Sequence, residues 1–340
     1  MSDIKKNDLD GGPAAIAATF ESAEIAVVGD LILDVYVWGE ASRISQEAPV
    51  PVLRVENTTR SLGGAANVAR NLASLGAKSA VFGVCGDDAN ADGMERLLAE
   101  NGISGDGLAR VPGRPTTEKQ RVIAGSQQLV RIDYEDVAPV DSEVVARIVS
   151  ALKRRIEAGE FDAVVIEDYA KGLLSSDTAA EIAAAAGAAG VPVALDPHPG
   201  HPLDFDGVDI MTPNKKEAFG LAGIYHNDAG GDGLDRLDEV ANIIRNRWNP
   251  EHLLITLGAE GVALFERNGG KTIIPTRARE VFDVSGAGDT FIATFTLAIV
   301  SGASAVEAAE IANHAAGIVV GKVGTAPATL DELLESFKRA

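Results

Sequence analysis

Short apolar runs alternate with longer stretches of helical periodicity along most of this sequence, and that alternation leaves few architectures open. The runs at 25–30, 79–84, 161–166, 191–195, 208–211, 253–257 and 262–265 are rich in Val, Ile, Leu and Ala and have the length of strands. Such runs suit strands buried on both faces. Helical spacing marks residues 64–75, 88–100, 141–158, 175–188, 213–222, 235–247, 287–301, 304–320 and 329–338. Strands alternating with helices predict an α/β fold whose mostly parallel central sheet is covered on both faces. Ligands of such sheets bind beyond the carboxyl ends of the strands, so Gly29-Asp30, closing the first run, faces the expected crevice.

Two stretches break the alternation. Residues 35–60 and 114–133 are β-rich, lack helical period and carry polar residues between apolar ones; they predict a small β-lid over the crevice. Residues 1–23 read as a leader with a short helix, and 24–340 as one domain, for which 46% hydrophobic residues in 340 supply an ample core. A formal net charge of −20 disfavours nucleic acid and anionic membranes as partners. No apolar run approaches the ~20 residues that span a bilayer. Cys85, the only cysteine, excludes an intramolecular disulfide, and with no secretory leader the expected compartment is the cytoplasm. The Asn57-Thr58-Thr59 sequon then has no role, and the acidic, Gly-rich segment 227–233 reads as a connection, its carboxylates wrongly spaced for calcium.

Chemistry concentrates in Asp283-Val284-Ser285-Gly286-Ala287-Gly288-Asp289-Thr290, which opens a long apolar helix. Small residues at a helix start let free N–H groups approach an anion, and the helix dipole favours negative charge there. Gly286, Ala287 and Gly288 are therefore candidates to hold a transferring phosphoryl group. Asp289, in the first turn, is placed to act as general base toward an attacking hydroxyl; an Asp stabilised only by the helix dipole is the structural alternative. Neither a G-x-x-x-x-G-K-[ST] loop nor a G-x-G-x-x-G after the first strand is present. A second glycine pair, Gly63-Gly64, leads into a helix carrying Asn67, whose amide both donates to and accepts from sugar hydroxyls. Asp34 follows the first strand and offers a carboxylate to the same hydroxyls. His198-Pro199-Gly200-His201 matches H-x-G-H literally, but prolines 197, 199 and 202 prevent the helix that such a motif opens.

Gly29-Asp30, Gly63-Gly64, Thr212-Pro213-Asn214-Lys215-Lys216-Glu217, Thr256-Leu257-Gly258-Ala259-Glu260-Gly261 and the 283–289 segment occur in this order. Together they resemble the phosphofructokinase B, or ribokinase-like, carbohydrate kinases over residues 24 to about 335. The resemblance implies a ribokinase-like three-layer fold and an ATP-dependent kinase with Mg²⁺. It implies that Asp289 is the base and that the 286–288 amides form the anion hole. Asn214, Lys215 and Glu217 would serve the ATP phosphates and Mg²⁺, and Thr256, Gly258, Gly261 and Asn313 would line the nucleotide pocket. Asp34, Gly63, Gly64 and Asn67 would hold the sugar, and Asp283 with residues 321–325 would offer a potassium site.

Within that family, residues 42–52, 127–133 and 168–172 are similar to kinases of D-glycero-D-manno-heptose 7-phosphate in lipopolysaccharide precursor synthesis, which implies a 1,7-bisphosphate product. A phosphorylated acceptor needs cations, and Arg43, Lys119, Arg121, Arg131 and Lys171 lie in or beside the lid segments. The chain departs from those kinases at His198, where they usually carry Lys, and at Glu167, where they usually carry Ser. They are also often fused to a nucleotidyltransferase; the expectation here is the stand-alone form. Another acceptor (ribose, a fructose phosphate, a nucleoside) and a catalytically silent sugar or nucleotide sensor are the alternative readings. Unpaired strand edges in the lid lead to the expectation of a homodimer.

Overall fold

A computed structural model describes residues 12–225, 236–278, 281–322 and 324–338; the 227–233 segment lies outside them. The strands are β1 (Glu24–Gly29), β2 (Leu31–Ile44), β3 (Pro51–Gly64), β4 (Lys78–Gly86), β5 (Ser104–Val111), β6 (Glu118–Ala124) and β7 (Gln127–Tyr134). They continue as β8 (Ala163–Glu167), β9 (Val193–Asp196), β10 (Ile210–Met211), β11 (His252–Thr256), β12 (Val262–Glu266) and β13 (Lys271–Ile274). Nine of them form one sheet in the order β13-β12-β11-β10-β9-β8-β1-β4-β5. It is parallel from β11 to β5 and carries an antiparallel hairpin at its β13 edge.

Both faces of this sheet are buried, which explains its continuous apolar runs. Along β1, Ile25 and Val27 enter one core while Ala26 and Val28 enter the other, as the two-residue period of a strand requires. The first core is filled from the helices Ala65–Ser74, Ala89–Glu100, Ala287–Val300 and Ala305–Val319, through Leu72, Met94, Phe295 and Ile311. The second is filled from Ser142–Glu157, Ser176–Ala189, Lys215–Leu221 and Leu237–Trp248, through Leu152, Ile182, Phe219 and Trp248. Each such side chain contributes about 1.5–3 kcal/mol by leaving water. No helix among the described residues is long and apolar enough to cross a membrane.

The two β-rich stretches meet in a separate four-stranded sheet, β3-β2-β6-β7. Strand β2 is buried from Leu31 to Val37 and exposed beyond Glu40, so it runs out of the core. Two strands absent from the sequence reading, β5 and β13, lie at the two edges of the large sheet. β5 is mostly half-buried, β13 is half exposed, and neither has a continuous apolar run. Residues 198–201 form a turn, not a helix.

Candidate active site

The strand ends that meet at the crevice determine which side chains converge. Asp30 follows β1 and accepts from the backbone N–H groups of Tyr169 (2.9 Å) and Lys171 (3.0 Å). With the Asp168 carboxylate accepting from the Ala170 N–H (2.9 Å), it holds a tight turn after β8 in which Ala170 adopts φ 54°. A non-glycine residue in that region is held by its surroundings. The turn delivers the Tyr169 ring into the crevice.

Across from it starts the helix Ala287–Val300. Its N-cap, Gly286, sits at φ 78° and provides no side-chain cap, so the first-turn amides are available to an anion. Glycine is required at 286 twice over: the left-handed φ is costly for other residues, and an added Cβ would lie 2.9 Å from Asn67 Nδ2. Asp289 is buried in the first turn. Its Oδ2 accepts from Asn67 Nδ2 (2.6 Å) and its Oδ1 from the Tyr169 hydroxyl (3.0 Å). Burial raises its pKa, and the two hydrogen bonds oppose that rise.

Asp289 and Tyr169 stand where two cavities meet. The larger, of about 560 Å³, is bounded by Thr212, Asn214, Lys215, Glu217, Thr256 and Gly258 on one side and by Ala287 and Gly288 on the other. Asn214 and Glu217 form a reciprocal cap on the helix Lys215–Leu221: Asn214 Oδ1 accepts from the Glu217 N–H (3.0 Å), and Glu217 Oε2 from the Asn214 N–H (2.8 Å). Asp196, at the end of β9, completes this wall. Burial pushes the carboxyls of Asp196 and Glu217 up. The smaller cavity, of about 160 Å³, is bounded by Asp34, Gly64, Lys119, Arg121, Gly286 and Thr325.

Strand register builds the smaller cavity. Parallel pairing of β2 with β6 sets Asp34 beside Lys119 and Tyr36 beside Arg121, and the two-residue period puts these side chains on one face. Arg121 Nη1 donates to Asp34 Oδ1 (2.5 Å) and its guanidinium lies 5.2 Å from the Tyr36 ring. The Lys119 ammonium lies 5.1 Å from the Tyr169 ring, and burial lowers its pKa. Gly63 packs on the Asp34 carboxylate, leaving no room for a Cβ.

Several expected site residues are placed differently. Asn67 spends its amide on Asp289 and its Oδ1 on Arg70 (2.6 Å), which makes it a partner of the carboxylate. Arg43 is exposed near the outer end of β2, in neither cavity, because β2 has left the core there. Lys171 Nζ pairs with Glu135 (2.8 Å) and lines a separate small recess with Asp30 and Arg114. Arg131 pairs with Asp133 (2.9 Å). Gly261 is a turn residue at φ 97° packed on the Ile274 carbonyl, and Asn313 donates to the Pro275 carbonyl (2.6 Å); neither is in the walls of the large cavity. Asp283 accepts from the N–H groups of Ser285 (2.9 Å) and Gly324 (3.2 Å). His201 Nδ1 bonds Asp168 Oδ2 (2.8 Å), outside both cavities. Tyr169, although within the 168–172 segment, and Asp196, beside His198, were given no role by sequence reasoning, since nothing in a Tyr or Asp after a strand separates it from a loop residue until the strands are ordered.

This arrangement is the ribokinase-like α/β fold. Its likeness to Arabidopsis thaliana ribokinase complexed with ribose and ATP has a TM-score of 0.67 at 23% identity, covering 93% of this chain and 99% of that one. For phosphofructokinase-2 from Escherichia coli the TM-score is 0.74 at 18% identity, covering 93% and 99%. The model of the pfkB family carbohydrate kinases matches residues 22–332, and the chain belongs to that family. It is 40% identical over 319 residues to the bifunctional protein HldE of Pelobacter propionicus, covering 94% of this chain and 64% of the relative. To the HldE of Caulobacter vibrioides it is 42% identical over 327 residues, covering 96% and 65%. The chain thus spans less than two thirds of the length of these relatives.

Proposed function

We propose that this carbohydrate kinase transfers the γ-phosphoryl group of ATP to D-glycero-D-manno-heptose 7-phosphate, giving the 1,7-bisphosphate used for lipopolysaccharide precursors. The observation that carries the reading is a buried carboxylate, Asp289, in the first turn of an uncapped helix at the junction of two cavities. ATP occupies the larger cavity, its phosphates toward Lys215 and the 286–288 amides. The acceptor enters the smaller one, its hydroxyls on Asp34 and its phosphate toward Lys119 and Arg121. Asp289 takes the hydroxyl proton as the acceptor oxygen bonds to phosphorus and ADP leaves; Asn67 and Tyr169 orient the carboxylate. Asp196 and Glu217 are hard oxygen donors beside the nucleotide and suit Mg²⁺, which when bound neutralises phosphate charge. A monovalent cation near Asp283 would tune the same helix start.

The four-stranded sheet serves as the lid and as the face of a homodimer. Ile44, Val55, Val130 and Ile132 are exposed on it by 63%, 55%, 49% and 38%, more apolar surface than an edge left in water usually carries. The single, buried Cys85 agrees with a reducing cytoplasm.

An ADP-coupled assay over a panel of acceptors tests the substrate. Turnover is expected with heptose 7-phosphate well above ribose, fructose 6-phosphate and nucleosides; preference for an unphosphorylated sugar would reject the assignment.

A further inference from the structure

Glu167 ends β8, and the reaction described above makes no use of it. Strand register sets it beside Asp196, and carboxylate oxygens of Glu167, Asp196 and Asp289 lie within 4.8 Å of one another. Glu167 is 0% exposed. Among the described residues neither of its carboxylate oxygens has a hydrogen-bond partner. Burial comes first among the causes that push Glu167 up, and the charges of Asp196, Asp289, Glu217 and Asp168 add to it. Among the described residues no lysine, arginine or histidine forms an ion pair with Glu167 or Asp196. A buried carboxylate is ordinarily paired, hydrogen-bonded or bound to a metal, and here the first two are missing.

We propose that Glu167, Asp196 and Asp289 bind one divalent cation, Mg²⁺ or Mn²⁺, through protein oxygens before any nucleotide arrives. The donor set is oxygen only, which selects hard cations over zinc or copper. Three carboxylates leave half of an octahedron for water. Each carboxylate supplies one oxygen, so Asp289 keeps a second oxygen free of the ion. The site shares Asp196 with the pair offered to the metal that accompanies ATP, and differs from it in using Glu167 and Asp289 in place of Glu217.

The test uses the full chain, stripped of metal with a chelator and free of nucleotide, titrated with Mn²⁺ while the electron paramagnetic resonance signal of the free ion is followed. The parent is expected to retain one ion per chain and to gain thermal stability with Mn²⁺. Glu167→Ser and Glu167→Gln should each weaken retention by at least about tenfold and show no Mn²⁺-dependent rise in Tm. Asp34→Asn, which removes a carboxylate paired with Arg121, should bind as the parent does. Absence of retained Mn²⁺ at millimolar concentration would overturn the proposal and assign the cluster to shared protons. Parent-like binding by both Glu167 variants, or equal loss in Asp34→Asn, would overturn it too. None of these readouts needs turnover or a known acceptor, so the site and the proposed substrate stand or fall separately.

Discussion

Asp289 has two hydrogen-bond donors, Asn67 and Tyr169, on different elements, so its orientation depends on residues distant in sequence. The cations opposite it are separable from this role. Lys119→Ala removes a charge from the smaller cavity without touching the carboxylate. If Lys119 receives the acceptor phosphate, the loss is that of a charge-assisted hydrogen bond, about 1.5–3 kcal/mol. Steady-state kinetics should then show kcat/KM for heptose 7-phosphate falling about tenfold to a hundredfold, with the KM for ATP unchanged. Gly286→Ala meets two penalties, a left-handed φ of 78° and a Cβ 2.9 Å from Asn67. It should lower kcat as well as Tm, the backbone cost alone being about 1–2 kcal/mol; parent-like kcat would mean that the helix start tolerates displacement. At this scale the sequence was informative where a residue belongs to a local motif. Asp289, Gly286, Asn214 and Glu217 stand in short segments whose backbone geometry follows from neighbours. Asn67 was noticed for its hydrogen-bonding capacity, but its partner lies 222 positions away, and no local pattern encodes that.

Elements differ in how much of themselves they declare. The interior strands are legible because both of their faces are covered, which makes them continuously apolar. The helices are legible because each covers one face of the sheet. The edge strands β5 and β13 carry Gly, Asp, Arg, Lys and Thr, and only the sheet gives them their conformation. Strand β4 offers a direct check of the interior assignment. Its Cys85 is 2% exposed, and burial, with Glu95 adding, pushes the thiol up to about 12. The thiolate is the reactive form. At pH 8 the native protein should therefore leave a chromogenic disulfide reagent unreacted, with one thiol per chain titrating after unfolding. Rapid reaction in the native state would contradict the packing of β4.

The whole molecule joins a large α/β body, legible from its alternation, to a four-stranded sheet that runs out of it. Residues 35–60 and 114–133 were readable as β-structure, but their joining into one sheet rests on the parallel pairing of β2 with β6. That pairing also places Lys119 and Arg121 at the smaller cavity, whereas Arg43, carried outward on β2, lies away from it. With its outer apolar face, the sheet should hold two chains together, and light scattering at micromolar concentration should give about twice 35.2 kDa. Charged substitutions at Val130 and Ile132 should shift the mass toward one chain; a monomeric parent would contradict the interface. The account as a whole rests on Asp289 as the base. Asp289→Asn preserves size, and with its Oδ1 accepting from Asn67 and its NH2 donating to the Tyr169 hydroxyl it keeps both neighbours in place, so the chain should fold and bind ATP as the parent does. Its kcat for the preferred acceptor should fall by about 10²–10⁴-fold, the range for loss of a positioned proton acceptor; a kcat equal to the parent's would contradict the account.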